Sequence, residues 1–229
     1  MRRRVASCIR VVAISCALAG LGIAKNAAAA EEKAPAKTTE NGAERRSGIV
    51  FGTAIGLFGV GSASGTPNNA NQYRDQRYYS SSGPMIGNTF SLFVMGALAD
   101  PISFGFMFTG GSYSNGDFKS SASGFGLRVD LYPFAVCKCF KPFMRDLGLV
   151  EELGIGSVRL TPKEDTGKIL ADGTQSFLST GFFYDLKVAH LLGGHLSLGP
   201  EIDYTVVSTT TAESHGAAVA FRVAFNGGP

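Results

Sequence analysis

The chain has 229 residues, which is enough for one domain of moderate size, and it carries a formal net charge of +3. Five of its 21 basic residues and none of its 18 acidic residues lie in the first 30 positions, so the rest of the chain has a net charge of −2. Without a basic stripe that interleaves with aromatic residues, this balance excludes the strongly basic class of nucleic-acid-binding proteins.

Residues 1–30 have the parts of a cleaved secretory signal peptide. Four arginines within the first ten positions precede an apolar core from Val11 to Ile23, and Ala28, Ala29 and Ala30 form a small-residue cleavage site. The core is well short of the roughly 20 residues that a transmembrane helix needs. We therefore predict export, followed by a flexible periplasmic tail at residues 31–47, where Ala, Pro, Lys and Glu show no periodicity.

The composition favours membrane-facing strands. Hydrophobic residues make up 45% of the chain and charged residues 17%, below the roughly 25% that is usual in soluble domains. After residue 30, no run approaches the roughly 18 consecutive apolar residues of a transmembrane helix. Trp is absent, so the aromatic girdles of a membrane barrel would consist of Tyr and Phe.

Apolar residues alternate with small or polar ones from Gly48 onward, which is the period of a half-buried strand. Four strands are predicted at Gly48–Gly61, Ile86–Leu98, Ile102–Thr109 and Gly124–Tyr132. Their apolar positions are Ile49, Phe51, Thr53, Ile55 and Leu57; Ile86, Phe90, Leu92, Val94 and Leu98; Ile102, Phe104, Phe106 and Phe108; and Phe125, Leu127, Val129 and Leu131. Polar loops are predicted at Gly65–Gly83 and Ser112–Ser121, and a tight turn at Ala99–Pro101.

The second half of the chain predicts four more strands: Leu147–Leu160, Leu178–Val188, and a hairpin from His195 to Phe225 that is interrupted at Ser208–Gly216. Their apolar positions are Leu149, Leu153 and Ile155; Leu178, Phe182, Tyr184, Leu186 and Val188; Leu196, Leu198, Ile202, Tyr204 and Val206; and Ala217, Val219, Phe221, Val223 and Phe225. A charged loop is predicted at Thr161–Gly173. The adjacent Glu151 and Glu152 must point to opposite faces unless a bulge intervenes. If Leu149, Leu153 and Ile155 face outward, Glu151 does too, and the sequence leaves the register of this strand open.

The predicted connections differ in length in a regular order. Those after strands one, three, five and seven are polar and mostly long, and those after two and six are short, as in outer-membrane barrels; the connection Pro133–Asp146 is the exception. A soluble eight-stranded barrel with its apolar face inside is the alternative, but its outer face would be unusually poor in charge. We therefore predict an all-β fold, an antiparallel up-and-down transmembrane β-barrel of about eight strands over residues 48–226.

The strand pattern from Gly48 to Phe225 resembles the small outer-membrane β-barrel proteins of Gram-negative bacteria, the OmpA-like transmembrane domain and the OmpW-like barrels. Phe221, Val223 and Phe225 resemble the terminal aromatic signal that the barrel-insertion machinery reads, although four residues follow it. The resemblance implies contact with outer-membrane lipid and lipopolysaccharide, periplasmic termini, and a structural or surface-exposed role. The alternative that it implies is a narrow porin-like channel or a conduit for small hydrophobic compounds. Neither a cofactor nor an oligomeric state is indicated.

Ionisable residues on the polar faces predict an ionic network in the lumen. Its candidates are Arg128, Asp130, Asp185, Lys187, Glu201, Asp203 and Arg222, with Glu152 as a further one. An eight-stranded barrel is just wide enough to be filled by side chains, and an unpartnered buried ion costs on the order of several kcal/mol, so these charges must pair. Arg222 is expected beside Glu201 or Asp203, because strands seven and eight are adjacent. Such a network is either a structural plug or a gated polar path.

Two short motifs were candidates for chemistry. His195 and Ser197 with Glu201 resemble the His-x-Ser pair and carboxylate of lipid A deacylase barrels, but they lie on the lumen face, so no enzymatic activity is expected. Cys137 and Cys139 allow either a strained local disulfide or an intermolecular bridge. They predict no metal site, because no further Cys or nearby His completes a ligand set.

Overall fold

The computed structural model describes residues 48–67, 69–75, 79–99, 101–135, 142–164 and 171–227. The predicted signal peptide, the predicted tail, Cys137 and Cys139 lie outside these residues. The chain forms the strands β1 Gly48–Gly65, β2 Met85–Ala99, β3 Ile102–Ser114, β4 Phe118–Leu131, β5 Leu147–Pro162, β6 Ala171–Thr174, β7 Ser176–Tyr184, β8 Leu186–Leu191, β9 Gly194–Ser208 and β10 Ala212–Gly227. Two 3-10 helices, Gln72–Arg74 and Pro142–Asp146, lie in connections. No helix in the described part of the chain has the length and hydropathy to cross a membrane.

The strands form one antiparallel sheet that closes on itself. β1 pairs with β2 on one side and with β10 on the other, from Val50 opposite Asn226 to Gly65 opposite Ala212. β5 pairs with β6 and β7, whereas β9 pairs with β7 and β8. The three short strands β6, β7 and β8 therefore lie end to end and together fill one of the eight strand positions around the barrel, which we call wall positions. The fold is therefore the predicted eight-stranded up-and-down β-barrel.

The two ends of this barrel carry different connections. One end holds Gly48, Gly227 and the connections at residues 100–101, 132–146 and 192–193. We call it the terminal end. The opposite end, which we call the loop end, holds the connections at residues 66–84, 115–117, 163–170 and 209–211.

Alternation places bulky apolar side chains on the outside at every wall position, whereas the inside holds glycines, charged residues and a cluster of buried apolar side chains. On β3, Phe106 is 59% exposed whereas its neighbour Met107 is 2% exposed. The predicted outward positions are confirmed on all eight wall positions, since none of those side chains is buried. The pairing of β4 with β5 contains no bulge, so Glu151 faces outward and Glu152 inward, which fixes the register that the sequence left open.

The predicted boundaries at the loop end are wrong because the strands continue past the apolar sequence. β3 and β4 occupy most of Ser112–Ser121 and are joined at Asn115, whose Oδ1 accepts hydrogen bonds from the amides of Asp117 and Phe118 at 3.0 and 2.8 Å. The predicted break at Ser208–Gly216 shrinks to residues 209–211, and β5 and β6 enter both ends of Thr161–Gly173. The outward side chains of these strand ends are polar, so the apolar exterior that marks a strand in the sequence disappears while the hydrogen-bonded ladder persists.

The sixth predicted strand is not continuous. It is interrupted at Asp185, between β7 and β8, where the Asp185 amide donates to the carbonyl of Asp146 at 3.0 Å instead of to a neighbouring strand. The carboxylate of Asp185 points into the barrel and is only 2% exposed. The interruption does not change which residues face outward: Phe182 on β7 and Leu186 on β8 are both exposed.

Aromatic rings fill the interior by lying across glycines of other strands. A Cβ atom at Gly52 would lie 2.6 Å from Cζ of Phe93, and one at Gly216 would lie 2.6 Å from Oη of Tyr113. Glycine is required at both positions, because any larger residue would displace the ring. Both rings are at most 5% exposed. The rings of Phe93 and Tyr113 therefore occupy part of the narrow interior of the barrel.

Candidate functional site

Two arginines lie inside the barrel, near its terminal end, and both are 0% exposed. Arg128 extends from β4. Its Nε is 2.9 Å from Oδ1 of Asp130, its Nη1 is 2.9 Å from Oε1 of Glu152, and its Nη2 is 2.8 Å from Oε2 of Glu201. Three carboxylates from three strands thus surround one guanidinium, which presents its N–H donors in a planar fork.

Arg222 extends from β10 and shares two of these carboxylates. Its Nη2 is 2.6 Å from Oδ2 of Asp130 and its Nη1 is 3.2 Å from Oε2 of Glu201, while its Nε is 3.0 Å from Oδ1 of Asp185. Asp130 and Glu201 therefore bridge the two guanidinium groups. We call Arg128, Arg222, Asp130, Glu152, Asp185 and Glu201 the arginine cluster.

Aromatic side chains enclose the arginine cluster. The ring of Phe93 lies 4.2 Å from Cζ of Arg128 and 4.7 Å from Cζ of Arg222, and the ring of Phe183 lies 4.0 Å from Cζ of Arg222. These distances permit cation–π attraction, which is stronger for desolvated groups than at an exposed surface. Tyr132 donates a hydrogen bond from Oη to Oδ2 of Asp185 at 2.7 Å. The cluster is thus held by ring contacts as well as by ion pairs.

A small cavity lies on the loop-end side of the arginine cluster. It has a volume of about 40 Å³, and Glu152, Glu201, Asp203 and the hydroxyl-bearing Ser91 and Thr205 are among its lining residues. That volume accommodates about three water molecules. The Oγ of Ser91 is buried and has no hydrogen-bond partner among the described residues.

The exterior is apolar around the whole circumference. Each wall position contributes a large apolar side chain that is 48–64% exposed: Ile55, Val94, Phe106, Phe125, Ile155, Phe182, Ile202 and Phe221. We call this ring of side chains the apolar belt. Soluble monomers rarely expose large contiguous apolar patches, whereas here large apolar side chains are exposed at every wall position. Closure of the sheet pairs its first strand with its last, as a membrane requires. The chain is a small outer-membrane-type β-barrel.

Comparisons with known proteins find similarity among solved structures. No protein-family model and no curated protein matches the sequence. Among solved structures, the barrel is similar to the attachment invasion locus protein Ail of Yersinia pestis, with 10% identity, 78% of this chain and 99% of that chain covered, and a TM-score of 0.47. Neisserial surface protein A is 12% identical, with 78% of this chain and 99% of that chain covered and a TM-score of 0.44. The outer membrane protein OprG of Pseudomonas aeruginosa is 10% identical, with 79% of this chain and 97% of that chain covered and a TM-score of 0.37. At identities of 10–12% and TM-scores below 0.5, these similarities add no evidence to that of the strand pairing and the apolar belt.

Five of the seven residues predicted for the lumen network meet in the arginine cluster: Arg128, Asp130, Asp185, Glu201 and Arg222. Glu152, the further candidate, is also a member. Asp203 is not: it is half-buried, accepts a hydrogen bond from Thr205 Oγ1 at 3.4 Å, and makes no ion pair among the described residues. Of the two expected neighbours of Arg222, the structure thus selects Glu201 and excludes Asp203. Lys187, half-buried on β8, also lies outside the cluster.

Sequence reasoning did not include Phe93, Tyr132 and Phe183 in the network. All three lie on the inward face, and Tyr132 follows Arg128 and Asp130 in the same alternation. An inward aromatic residue beside inward charges would have been a usable signal, because a buried guanidinium commonly lies against a ring.

The His-x-Ser motif is engaged in other contacts. Ser197 is fully buried, donates a hydrogen bond from Oγ to the carbonyl of Ala224 at 3.1 Å, and accepts one from Nδ2 of Asn226 at 3.3 Å. Glu201 is occupied by both arginines. The described residues contain no group of three or more His, Cys, Asp and Glu residues arranged to hold a metal ion.

Proposed function

We propose that the protein is an integral outer-membrane barrel of a Gram-negative bacterium, exported through a signal peptide at residues 1–30 and closed internally by the arginine cluster. Its role is structural or surface-exposed rather than enzymatic. The observation that carries this proposal is the pair of fully buried arginines, whose six ion pairs join five wall positions of the barrel.

The energetics of the arginine cluster favour a closed lumen. Opening a path would separate Arg128 or Arg222 from three carboxylates in a narrow, poorly hydrated interior. Leaving a buried ion without its partner costs on the order of 3–5 kcal/mol. A population of open barrels would therefore require a second set of partners for these groups.

The loop end is assigned to the cell exterior, which makes both ends of the barrel sequence periplasmic. The connection at residues 66–84 is the longest at this end and carries Tyr73 and Tyr79, which are 53% and 57% exposed. Tyr79 donates a hydrogen bond from Oη to the carbonyl of Tyr73 at 3.2 Å, so the two residues belong to one folded loop. This connection and the one at residues 163–170 are available for contacts at the cell surface.

The last strand supplies the proposed signal for insertion. Phe221, Val223 and Phe225 face outward on β10, and the ring of Phe225 lies 5.1 Å from that of Phe51 on β1. These side chains thus lie beside the seam where the first and last strands meet. We assign them to recognition by the barrel-insertion machinery before this seam closes.

Single-channel recording in planar bilayers tests the closed lumen. The wild-type barrel is expected to show no steady conductance, whereas the double variant Arg128→Ala/Arg222→Ala is expected to conduct and to select cations, because carboxylates then line the bore. Arg74→Ala, a matched loss of charge in the exposed loop, is the control and should remain silent. Folding of each variant is checked by heat-modifiable migration on gels. Steady conductance of the folded wild type would favour the narrow-channel alternative.

A further inference from the structure

A polar groove lies on the outer wall of the barrel at its loop end. It crosses β4, β5 and β6 and has a volume of about 270 Å³. The side chains that line it from the outward face are Ser121, Ser123, Ser157, Arg159, Asp172 and Thr174. We call it the outer groove.

The outer groove begins where the apolar belt ends. Phe125 and Ile155, opposite each other on β4 and β5, belong to the belt, and the next outward pair toward the loop end is Ser123 opposite Ser157. The hydroxyls of this serine pair are 2.8 Å apart. One pair further on, Ser121 lies opposite Arg159. Apolar, hydroxyl and cationic side chains therefore follow one another along the same two strands.

The cationic side chains at this groove have no protein partner. Arg159 and Lys119, which are cross-strand diagonal neighbours, are both exposed, and neither makes an ion pair among the described residues. Asp172 is directly opposite Arg159 on β6, but no salt bridge joins them. Lys119 and Arg159 are the only Lys or Arg residues on the outward faces of the described strands.

The polar groups on the far side of the barrel satisfy one another instead. At the loop end of β9 and β10, Oη of Tyr204 is 2.8 Å from Nδ1 of His215, and Nε2 of His215 is 3.1 Å from Oε1 of Glu213. Among the described residues, that side carries no Lys or Arg on its outward face. The outer groove is thus the place on the described wall where positive charge lies near the apolar belt without an ion pair.

We propose that the outer groove binds the phosphate-bearing headgroup of a lipid in the leaflet at the loop end. The proposal rests on the barrel spanning a membrane. A guanidinium matches two phosphate oxygens at once, and the ammonium group of Lys119 and the serine hydroxyls add further donors. The acyl chains of the same lipid would run down over Phe125 and Ile155. Asp172 opposes an anion and limits the affinity.

Lipid retention by the detergent-solubilised full chain tests the proposal. Native mass spectrometry is used to titrate phosphatidic acid, which carries a phosphate monoester, against phosphatidylcholine with the same acyl chains. We expect phosphatidic acid to bind at least about tenfold more tightly, and Lys119→Gln/Arg159→Gln to remove that preference, since charge-assisted hydrogen bonds are lost. Asp172→Asn should tighten binding. Arg74→Gln, which removes one positive charge in the exposed loop, is the control for each single variant, Lys119→Gln and Arg159→Gln, and should not change binding.

The proposal is overturned if the two lipids bind equally, or if Arg74→Gln loses the preference for phosphatidic acid as fully as the groove variants do. It is also overturned if an equal concentration of inorganic phosphate displaces phosphatidic acid, because the groove would then be a site for free phosphate. Heat-modifiable migration separates this failure from failure of the proposed function. A barrel that migrates heat-modifiably without a lipid preference refutes only the outer groove. Loss of heat-modifiable migration in the wild type refutes the membrane barrel itself.

Discussion

Each arginine of the cluster depends on carboxylates that are distant in the sequence. Arg222 on β10 reaches Asp130 on β4 across the lumen, 92 residues away. The alternation could predict that both side chains point inward, but it could not predict that they meet, because the contact depends on how the strands are staggered around the barrel. For the same reason it could not separate Glu201 from Asp203, which lie two positions apart on one face of β9. Only the stagger decides which of them is level with the guanidinium groups.

The buried arginine should be far more important for stability than the unpaired aspartate. Arg222→Met removes a cation shared by Asp130, Asp185 and Glu201 and should lower the free energy of unfolding by about 3–5 kcal/mol, because uncompensated buried charge remains. Asp203→Asn, which breaks no ion pair, should change it by less than about 1 kcal/mol. Urea unfolding in lipid vesicles measures both. Equal destabilisation by the two variants would contradict the assignment of the cluster.

The sequence predicts well which side chains of each strand face outward, but it predicts poorly where the strands end. The side-chain period of two predicted which apolar residues face outward at every wall position, because lipid and lumen are such different environments. The register around Glu151 and Glu152 stayed open until the pairing of β4 with β5 was known. Strand ends were missed where no such contrast exists, as between Ser112 and Ser121. The interruption of the wall at Asp185 was also missed, because the Asp185 amide bonds the distant carbonyl of Asp146 and no turn residue marks the break.

A charged residue introduced into the apolar belt should destabilise the barrel more strongly the nearer it lies to the bilayer midplane. Phe106 lies in the belt on β3 and stacks on Phe125 with ring centroids 6.2 Å apart. Phe106→Arg should lower the free energy of unfolding by about 2–4 kcal/mol if position 106 is near the bilayer midplane. Ser112→Arg, on the same face of the same strand but nearer the loop end, should cost about 0–1 kcal/mol. Unfolding in vesicles compares them, and a harmless Phe106→Arg would mean that the apolar face does not contact lipid.

The strands form one closed hydrogen-bonded sheet, in which each wall position is paired on both sides. β10 provides partners for both β1 and β9 and also supplies Arg222 to the interior. Without it, two long edges would be exposed in the membrane, where unpaired backbone groups are costly. The barrel is therefore expected to form or fail as a unit, unlike a soluble sheet that tolerates frayed edges.

A chain that ends at Ser208 tests this dependence. It should give the same gel mobility with and without heating, because no closed barrel resists the detergent. Replacement of residues 69–75 by a Gly-Ser linker of equal length is the control, since that segment lies in a connection outside the ladder. The control should keep heat-modifiable mobility. A heat-modifiable truncated chain would show that β10 is not needed for closure.

The pairing of the first strand with the last also determines how the protein can be delivered. If the chain is exported as proposed, Asp130, Asp185 and Glu201 leave the inner-membrane translocon before Arg222, and Gly48–Gly65 lacks a partner on one side until β10 follows. We therefore expect periplasmic chaperones to carry the polypeptide unfolded until β10 is available. Periplasmic proteases should degrade this open chain more readily than the closed barrel.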